Sequence, residues 1–137
     1  MLQLVYISSA RQPITASVCE DVLAVSRTNN SRNGVTGLLV AGQRRFLQAL
    51  EGPTDAVRAT YARIVKDTRH YACVLLSEQY LDQRQFGEWS MGYVAGGPEL
   101  SDDEQLAKVV TKLVDPIDDA SLRAQFIGFA DLQSRAA

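Results

Sequence analysis

The sequence predicts an α+β domain on a mixed β-sheet in the order βαββαββ. Two helices cover one face and two C-terminal helices cover the other. Three observations carry this. Stretches of two-residue alternation and of helical periodicity follow one another in that order along residues 2–94. The first stretch, Leu2 to Ser8, is apolar on both sides, with Leu2, Leu4 and Tyr6 on one face and Val5 and Ile7 on the other. Its sheet must therefore be covered twice. Two further amphipathic stretches beyond residue 100 most simply supply the second cover, the alternative being that they lie on a partner subunit.

Leu2 to Ser8 is the first strand, and a central one. Ser17-Val-Cys-Glu20 reads as a capping box, with the Ser side chain on a free backbone N–H and Glu reaching back. The helix it opens places Cys19, Val22, Leu23, Ser26, Asn29 and Asn30 on one stripe, apolar for two turns and polar in its last. Asn33-Gly34 stops it, because Gly tolerates the left-handed conformation of a C-terminal cap. Val35 to Ala41 and Arg44 to Glu51 are the next strands, joined by Gly42-Gln43 as a two-residue hairpin turn. Along the second of them Phe46, Gln48 and Leu50 share a face.

Pro53-Thr54 opens the second helix with Thr54 as N-cap. Val57, Tyr61, Ile64, Val65 and Thr68 form its buried stripe, with Arg63 and Asp67 beside it. Tyr71 to Leu76, or on to Leu81, is the fourth strand, and Phe86 to Val94 the fifth. In the fifth, Trp89, Met91 and Tyr93 face one way and Ser90, Gly92 and Val94 the other. Gly96-Gly97-Pro98 ends this part. Ser101-Asp-Asp-Glu104 is a second capping box, before a helix with Leu106, Val109, Val110 and Leu113 on one side. Asp115-Pro116 breaks it. The last helix carries Leu122, Phe126, Phe129 and Ala130 and frays at its end. The division expected is a compact unit over 1–97 and a helical extension over 98–137 packed on the same domain.

Composition bounds the function. At 137 residues the chain is one domain, with 46% apolar and 22% charged residues, ordinary values for a soluble protein. A net charge of −2, with no basic run longer than Arg44-Arg45, gives no footprint for nucleic acid. Cys19 and Cys73 form no CxxC pair and read as reduced, buried thiols of a cytoplasmic protein. The start MLQLVYIS lacks the basic flank of a signal peptide, and no apolar run spans a bilayer, so no membrane role is expected. One histidine makes no metal cluster, and GxSxG, P-loop and GxGxxG motifs are absent. Nothing here favours an enzyme.

Polar groups predicted to face inward stand out instead. Tyr6 shares a face with Leu2 and Leu4, Gln48 with Phe46 and Leu50, and Trp89 with Met91. Each has a bland reading: a core Tyr bonded to backbone, Asn29 and Asn30 capping a helix end, Arg63 and Asp67 as an i,i+4 surface pair. Trp89 and Met91 would then fill the core, and His70 would sit where a helix dipole favours it. Together these residues describe two helices with polar ends above a sheet face of Tyr, Gln, Trp and Met. Such a site suits a flat heteroaromatic ligand with amide-like edges, which Asn side chains can match as donor and acceptor.

The sequence also resembles the BLUF family, the blue-light sensors using flavin. The blocks are LVYIS, SRTNN…NGVTGLL, FLQALEG, YARIVKDTRH and RQFGEWSMG, in order from Leu2 to about Gly92. The resemblance implies the ferredoxin-like fold and a flavin, FAD by expectation with FMN open, held between the two helices over Tyr6 and Gln48. It implies that Asn30 bonds the ring's pyrimidine edge with Asn29 beside it. Arg63 and Asp67 would contact the other polar edge, with His70 flanking the flavin and Ser26 close to Gln48. Trp89 and Met91 match the pair of which one or the other lies near the Gln and relays the signal. In the implied photochemistry an electron leaves Tyr6 for the excited flavin while a proton passes through the Gln48 amide. Its return leaves Gln48 rotated or tautomerised, with a new donor toward the flavin C4 carbonyl and a slight red shift. Ala49 and Arg44-Arg45 depart from the family pattern without removing a photochemical group. The short chain resembles the single-domain subclass that signals through a separate effector protein, with the C-terminal helices as the surface for homo-oligomer or effector contacts. Two other readings stand beside it: an acylphosphatase-type hydrolase holding phosphate with Arg11 and an Asn, and a flavin-free interaction module.

Overall fold

In the computed structural model, which describes residues 1–12, 14–87, 89–95 and 106–135, one five-stranded sheet organises the chain. The elements are β1 (Leu2–Ala10), α1 (Ala16–Asn33), β2 (Thr36–Ala41), β3 (Arg45–Gly52), α2 (Thr54–Val65), β4 (His70–Tyr80), β5 (Gly92–Ala95), α3 (Leu106–Val114) and α4 (Ala120–Arg135). The strand order is β4-β1-β3-β2-β5. β1 lies antiparallel between β3 and β4, β2 is antiparallel to β3, and β5 joins β2 in parallel. This is the ferredoxin-like double βαβ with one added strand.

The period-two pattern of β1 sorts two cores. Leu2, Leu4 and Tyr6 enter a cluster with Leu39, Phe46, Leu50, Cys19, Leu23 and Val57, under α1 and α2. Val5 enters the other with Leu38, Leu47, Val110, Leu122 and Phe126, so α3 and α4 cover the second face. Phe126 is fully buried there, a burial that stabilises the fold by roughly 3 kcal/mol.

Several local expectations are corrected. Thr15, not Ser17, caps α1, its Oγ1 accepting from Val18 N at 3.3 Å, because the helix begins at Ala16. Gly34 closes α1 at φ 72°, as the left-handed cap requires. The β2–β3 turn is Gln43-Arg44, one residue later than expected, since Gly42 N bonds Arg45 O at 2.8 Å. Thr54 is the first helical residue of α2 and Pro53 holds the cap position, with no side-chain bond. Thr60 is buried in α2 in place of Val65, which is 47% exposed, and Thr68 lies beyond the helix end in solvent.

The fifth strand is shorter than its pattern. Only Gly92–Ala95 pairs with β2, and Phe86 and Trp89 to Met91 form an irregular segment before it. β4 is an edge strand with two register shifts against β1, one at Ala72, whose φ is 54°. There the strand bends away from cover, leaving Cys73 half-buried and Val74, Leu75 and Leu76 exposed. The Gly96-Gly97-Pro98 stop, the Ser101–Glu104 capping box and the last two residues lie outside the described residues, as does Glu88.

Candidate functional site

A cavity of about 260 Å³ opens between α1 and α2 above the first face of the sheet. Its floor is Tyr6 of β1, Leu39 of β2, and Phe46, Gln48 and Leu50 of β3. The register explains this meeting: Tyr6 pairs directly with Gln48 across β1 and β3, and Leu39 with Gln48 across β2 and β3. α1 contributes Val22, Ser26, Asn29 and Asn30 of the helical stripe read from the sequence, together with Val25, which that stripe did not include. α2 and the turn after it contribute Thr60, Arg63, Ile64, Asp67, Arg69 and His70.

At the floor the Tyr6 hydroxyl donates to Gln48 Oε1. Gln48 Nε2 donates to Met91 Sδ at 3.3 Å, so both ends of the amide are engaged and its orientation is defined. Gln48 is 3% exposed and Tyr6 likewise. Burial holds the Tyr6 phenol well above its ordinary value, with Cys73, Tyr61 and Asp67 adding to the effect. The phenol is therefore protonated and available as a donor. Tyr61 stacks against it at a tilt, ring centres 5.2 Å apart.

At the α1 end Asn30 is 1% exposed. Its Nδ2 donates to Ser90 O at 2.7 Å, while its Oδ1 is buried with no hydrogen-bond partner. A buried acceptor left open costs about 1–3 kcal/mol, so this atom is suited to a ligand N–H. Asn29 is half-buried on the same wall, and neither Asn caps the helix with its side chain. The bland capping reading therefore fails for both.

At the α2 end the expected Arg63–Asp67 pair is not formed. Arg63 Nη2 reaches Thr60 Oγ1 at 3.3 Å, and Asp67 is gripped by Arg69, whose Nε lies 2.9 Å and 3.0 Å from the two carboxylate oxygens. Those bonds hold the Asp67 carboxyl below its usual range. Arg63 is left exposed on the cavity rim. His70 closes this end: its Nε2 donates to Ile64 O at 2.6 Å, and its Nδ1 lies 2.8 Å from Ser8 Oγ. His70 thus begins β4 and is held from two sides, by the Ser8 hydroxyl and by a backbone carbonyl in the last turn of α2, so a helix end does help to fix it.

The structure separates Trp89 from Met91. Met91 is 2% exposed and lies against Gln48, whereas Trp89 is 37% exposed and outside the cavity. Strand alternation does not put them on one face because the backbone there is irregular. The segment that holds them is tied to α1 by Arg27 Nε to Met91 O at 3.1 Å and Ser31 with Ser90 at 2.7 Å, and to β2 by Gly37 N to Trp89 O at 3.0 Å. Gly37 is required here, because a Cβ would collide with the Ala49 carbonyl and crowd the Met91 methyl. Sequence reasoning missed Arg69 and Thr60, although an acid followed two residues later by a base in a turn was a visible signal for the first. Arg11 stacks on Tyr71 at 5.3 Å and does not line the cavity, so it holds no ligand there.

The donor set fits a flavin. An open buried acceptor at one end, a rim guanidinium and a carboxylate at the other, and an apolar middle over a Tyr–Gln pair match a flat ring with polar edges. Among the described residues no group of three His, Cys, Asp or Glu could hold a metal, and no helix is long and apolar enough to cross a membrane.

Comparison with known proteins agrees. Residues 1–92 match the family model described as BLUF, sensors of blue-light using FAD. The chain is 34% identical over 88 residues to the blue light- and temperature-regulated antirepressor BluF of Escherichia coli (strain K12), covering 64% of this chain and 22% of that one. It is 33% identical over 117 residues to the photoactivated adenylate cyclase subunit beta of Euglena gracilis, covering 80% of this chain and 14% of that one. It spans less than a quarter of the length of either relative. The solved BlsA ground state superposes with a TM-score of 0.68 at 27% identity, covering 82% of this chain and 87% of that one.

Proposed function

The chain belongs to the BLUF family of blue-light sensors, whose cofactor is a flavin, and from that premise we propose how its own residues hold that flavin and convert light into a signal. The observation that carries the proposal is the buried Tyr6–Gln48–Met91 chain of hydrogen bonds beneath a cavity with one open acceptor. Asn30 Oδ1 would take an N–H of the ring's pyrimidine edge, with Asn29 and Ser26 on the same wall. Arg63, Asp67 and His70 would frame the opposite edge. FAD, the flavin in the family's description, is the one proposed here, with FMN as the alternative.

When bound, the flavin supplies an isoalloxazine that absorbs blue light and, once excited, is a one-electron oxidant. Tyr6 is the donor within reach of the cavity. Its hydroxyl points at Gln48 Oε1, so loss of an electron from the phenol, which makes it strongly acidic, places the proton on that oxygen. When the electron and proton return, Gln48 can settle rotated or as its tautomer. Rotation turns Nε2 toward Tyr6 and puts Oε1 against Met91 Sδ, replacing a donor with an acceptor beside a sulfur that has lone pairs. The contact becomes repulsive and Met91 is pushed from its seat. A local amide switch thereby biases the segment before β5.

In this reading the chain turns over no substrate, since Tyr6 and Gln48 engage one another and not an open reactant site. Its output is contact with an effector protein, in line with the name antirepressor for one relative, and with a second copy of itself. Exposed Leu132 of α4 supports such contacts. We assign residues 1–97 to the sensor and 98–137 to the extension that covers the second face. Cys19 and Cys73 are not joined in a disulfide, which suits a reducing cytoplasm.

The test is an absorption spectrum of the purified chain before and after blue light. A yellow protein that releases flavin on denaturation, and whose bands move slightly red and relax in darkness, is expected. A colourless protein that takes up no added flavin would overturn the reading.

A further inference from the structure

The sheet face opposite the cavity carries an apolar cluster beside a row of polar side chains. Gln3 of β1 pairs with Glu51 of β3 on one side and Gln79 of β4 on the other, which places three polar side chains side by side across three strands. Gln3 and Glu51 are completely buried. Four donors converge on the Glu51 carboxylate: Gln3 Nε2 at 3.3 Å, Thr36 Oγ1 at 3.0 Å, and the backbone N–H groups of Gln85 at 3.0 Å and Phe86 at 2.8 Å. Gln79 Nε2 donates to Gln3 Oε1 at 2.9 Å and to Asp119 Oδ2 at 3.2 Å. Asp119 caps α4, its Oδ1 accepting from Leu122 N at 3.1 Å, and its own N–H donates to Gln85 Oε1 at 3.2 Å.

These bonds close a ring: Glu51, Gln3, Gln79, Asp119, Gln85 and back to Glu51. Its polarity is fixed, because carboxylates only accept. Glu51 forces Gln3 to turn its amide nitrogen inward, which leaves the Gln3 oxygen for Gln79, whose nitrogen is then also directed at Asp119. One member belongs to each side of the signalling problem. Gln85 starts the segment that ends in Ser90 and Met91, bonded to Asn30 and Gln48 of the cavity wall and floor, and Asp119 caps the first turn of the C-terminal helix. Phe86 adds an apolar link, edge-on to Phe126 of α4 with ring centres 6.2 Å apart.

We propose that this ring, buried at Gln3 and Glu51 and half-buried at its other members, is the output coupling of the domain, transmitting displacement of Ser90 and Met91 through Gln85 and Phe86 to the N-terminus of α4, with Gln3, Gln79 and Glu51 as positioning residues. The segment is anchored at one end to Asn30 and Gln48 through Ser90 and Met91, and at the other to Glu51 through two backbone N–H groups. A push on Met91 therefore loads Gln85, and Gln85 holds the α4 cap directly. Trp89 is not needed for this route. The proposal rests on the photoreceptor reading above.

The test is hydrogen–deuterium exchange of the full flavin-loaded chain in darkness and under blue light, alongside the absorption shift. In the wild type the amides of the first turn of α4, residues 120–123, should exchange faster in the light. Gln79→Leu interrupts the ring without touching the cavity, and Gln3→Leu interrupts it one strand further in. In either variant the red shift should persist. The light-minus-dark difference at 120–123 should fall about fivefold, the factor a single lost hydrogen bond carries. A merely structural row would change dark exchange and melting but leave the light-minus-dark difference intact. That result in a variant that still shifts red would overturn the relay while leaving the photoreceptor reading standing. A wild type that shifts red with no change at 120–123 would also overturn it. A wild type with no red shift would remove both.

Discussion

Replacing Asn30 with alanine should separate ligand binding from folding. In the flavin-free chain the side chain makes one bond, Nδ2 to Ser90 O at 2.7 Å, and leaves Oδ1 buried without a partner. Alanine forfeits the bond, about 1 kcal/mol, and also removes an unpaired acceptor whose burial costs about 1–3 kcal/mol. The two nearly cancel. With flavin bound the balance differs, because Oδ1 then has a donor and its loss costs about 1.5 kcal/mol, close to tenfold in Kd. Flavin titration by fluorescence quenching and thermal unfolding of the flavin-free protein measure both halves. The expected outcome is a Kd raised about tenfold or more with a Tm moved by no more than about 4 °C. An unchanged Kd, or a flavin-free variant that melts far earlier, would refute the assignment of the open acceptor to the ligand.

Three other outcomes follow from the same structure. Tyr6 has its proton held in the folded state, so the unfolded chain ionises first as pH rises. Its contribution is complete below the ordinary tyrosine value of about 10 and is lost above it by about 1.4 kcal/mol per pH unit until the folded phenol ionises; Tyr6→Phe should flatten that part of a urea-unfolding series. Thr15→Ala should cost about 0.5–1 kcal/mol by the same assay while Ser17→Ala costs almost nothing, since only Thr15 caps α1. Met91→Ala deprives Gln48 Nε2 of its acceptor and should abolish light-dependent change in the C-terminal helices; an undiminished change would show that the signal leaves by another route.

The strand faces were legible because β-sheet side chains alternate whatever the exact strand ends. Leu2, Leu4 and Tyr6 part from Val5 and Ile7 as the pattern requires, and Gln48 meets Tyr6 because both strands keep phase. The helical stripe from Cys19 to Asn30 held for the same reason, although the cap preceding it was misplaced by two residues. What failed was local backbone. The stretch from Phe86 to Met91 alternates in sequence, but Phe86, Ser90 and Met91 are drawn out of the ladder by Glu51, Asn30 and Arg27, contacts between positions up to 64 residues apart. The pairing of Asp67 with Arg69 in place of Arg63 depends on a turn that brings the nearer base round. The polar ring was invisible because Gln3, Gln79 and Asp119 are unremarkable singly, and only strand register sets them side by side.

The claim at the centre of this account is that Tyr6 and Gln48 act as one photochemical unit. The measurement that tests it most directly is the light-minus-dark absorption spectrum of Tyr6→Phe beside the wild type. Phenylalanine keeps the ring that packs against Tyr61 but takes away the hydroxyl bonded to Gln48 Oε1. Both proteins should be equally yellow, with the wild type shifting red under blue light and relaxing in darkness while the variant does not shift. A Tyr6→Phe protein that binds flavin and shifts like the wild type would contradict the account.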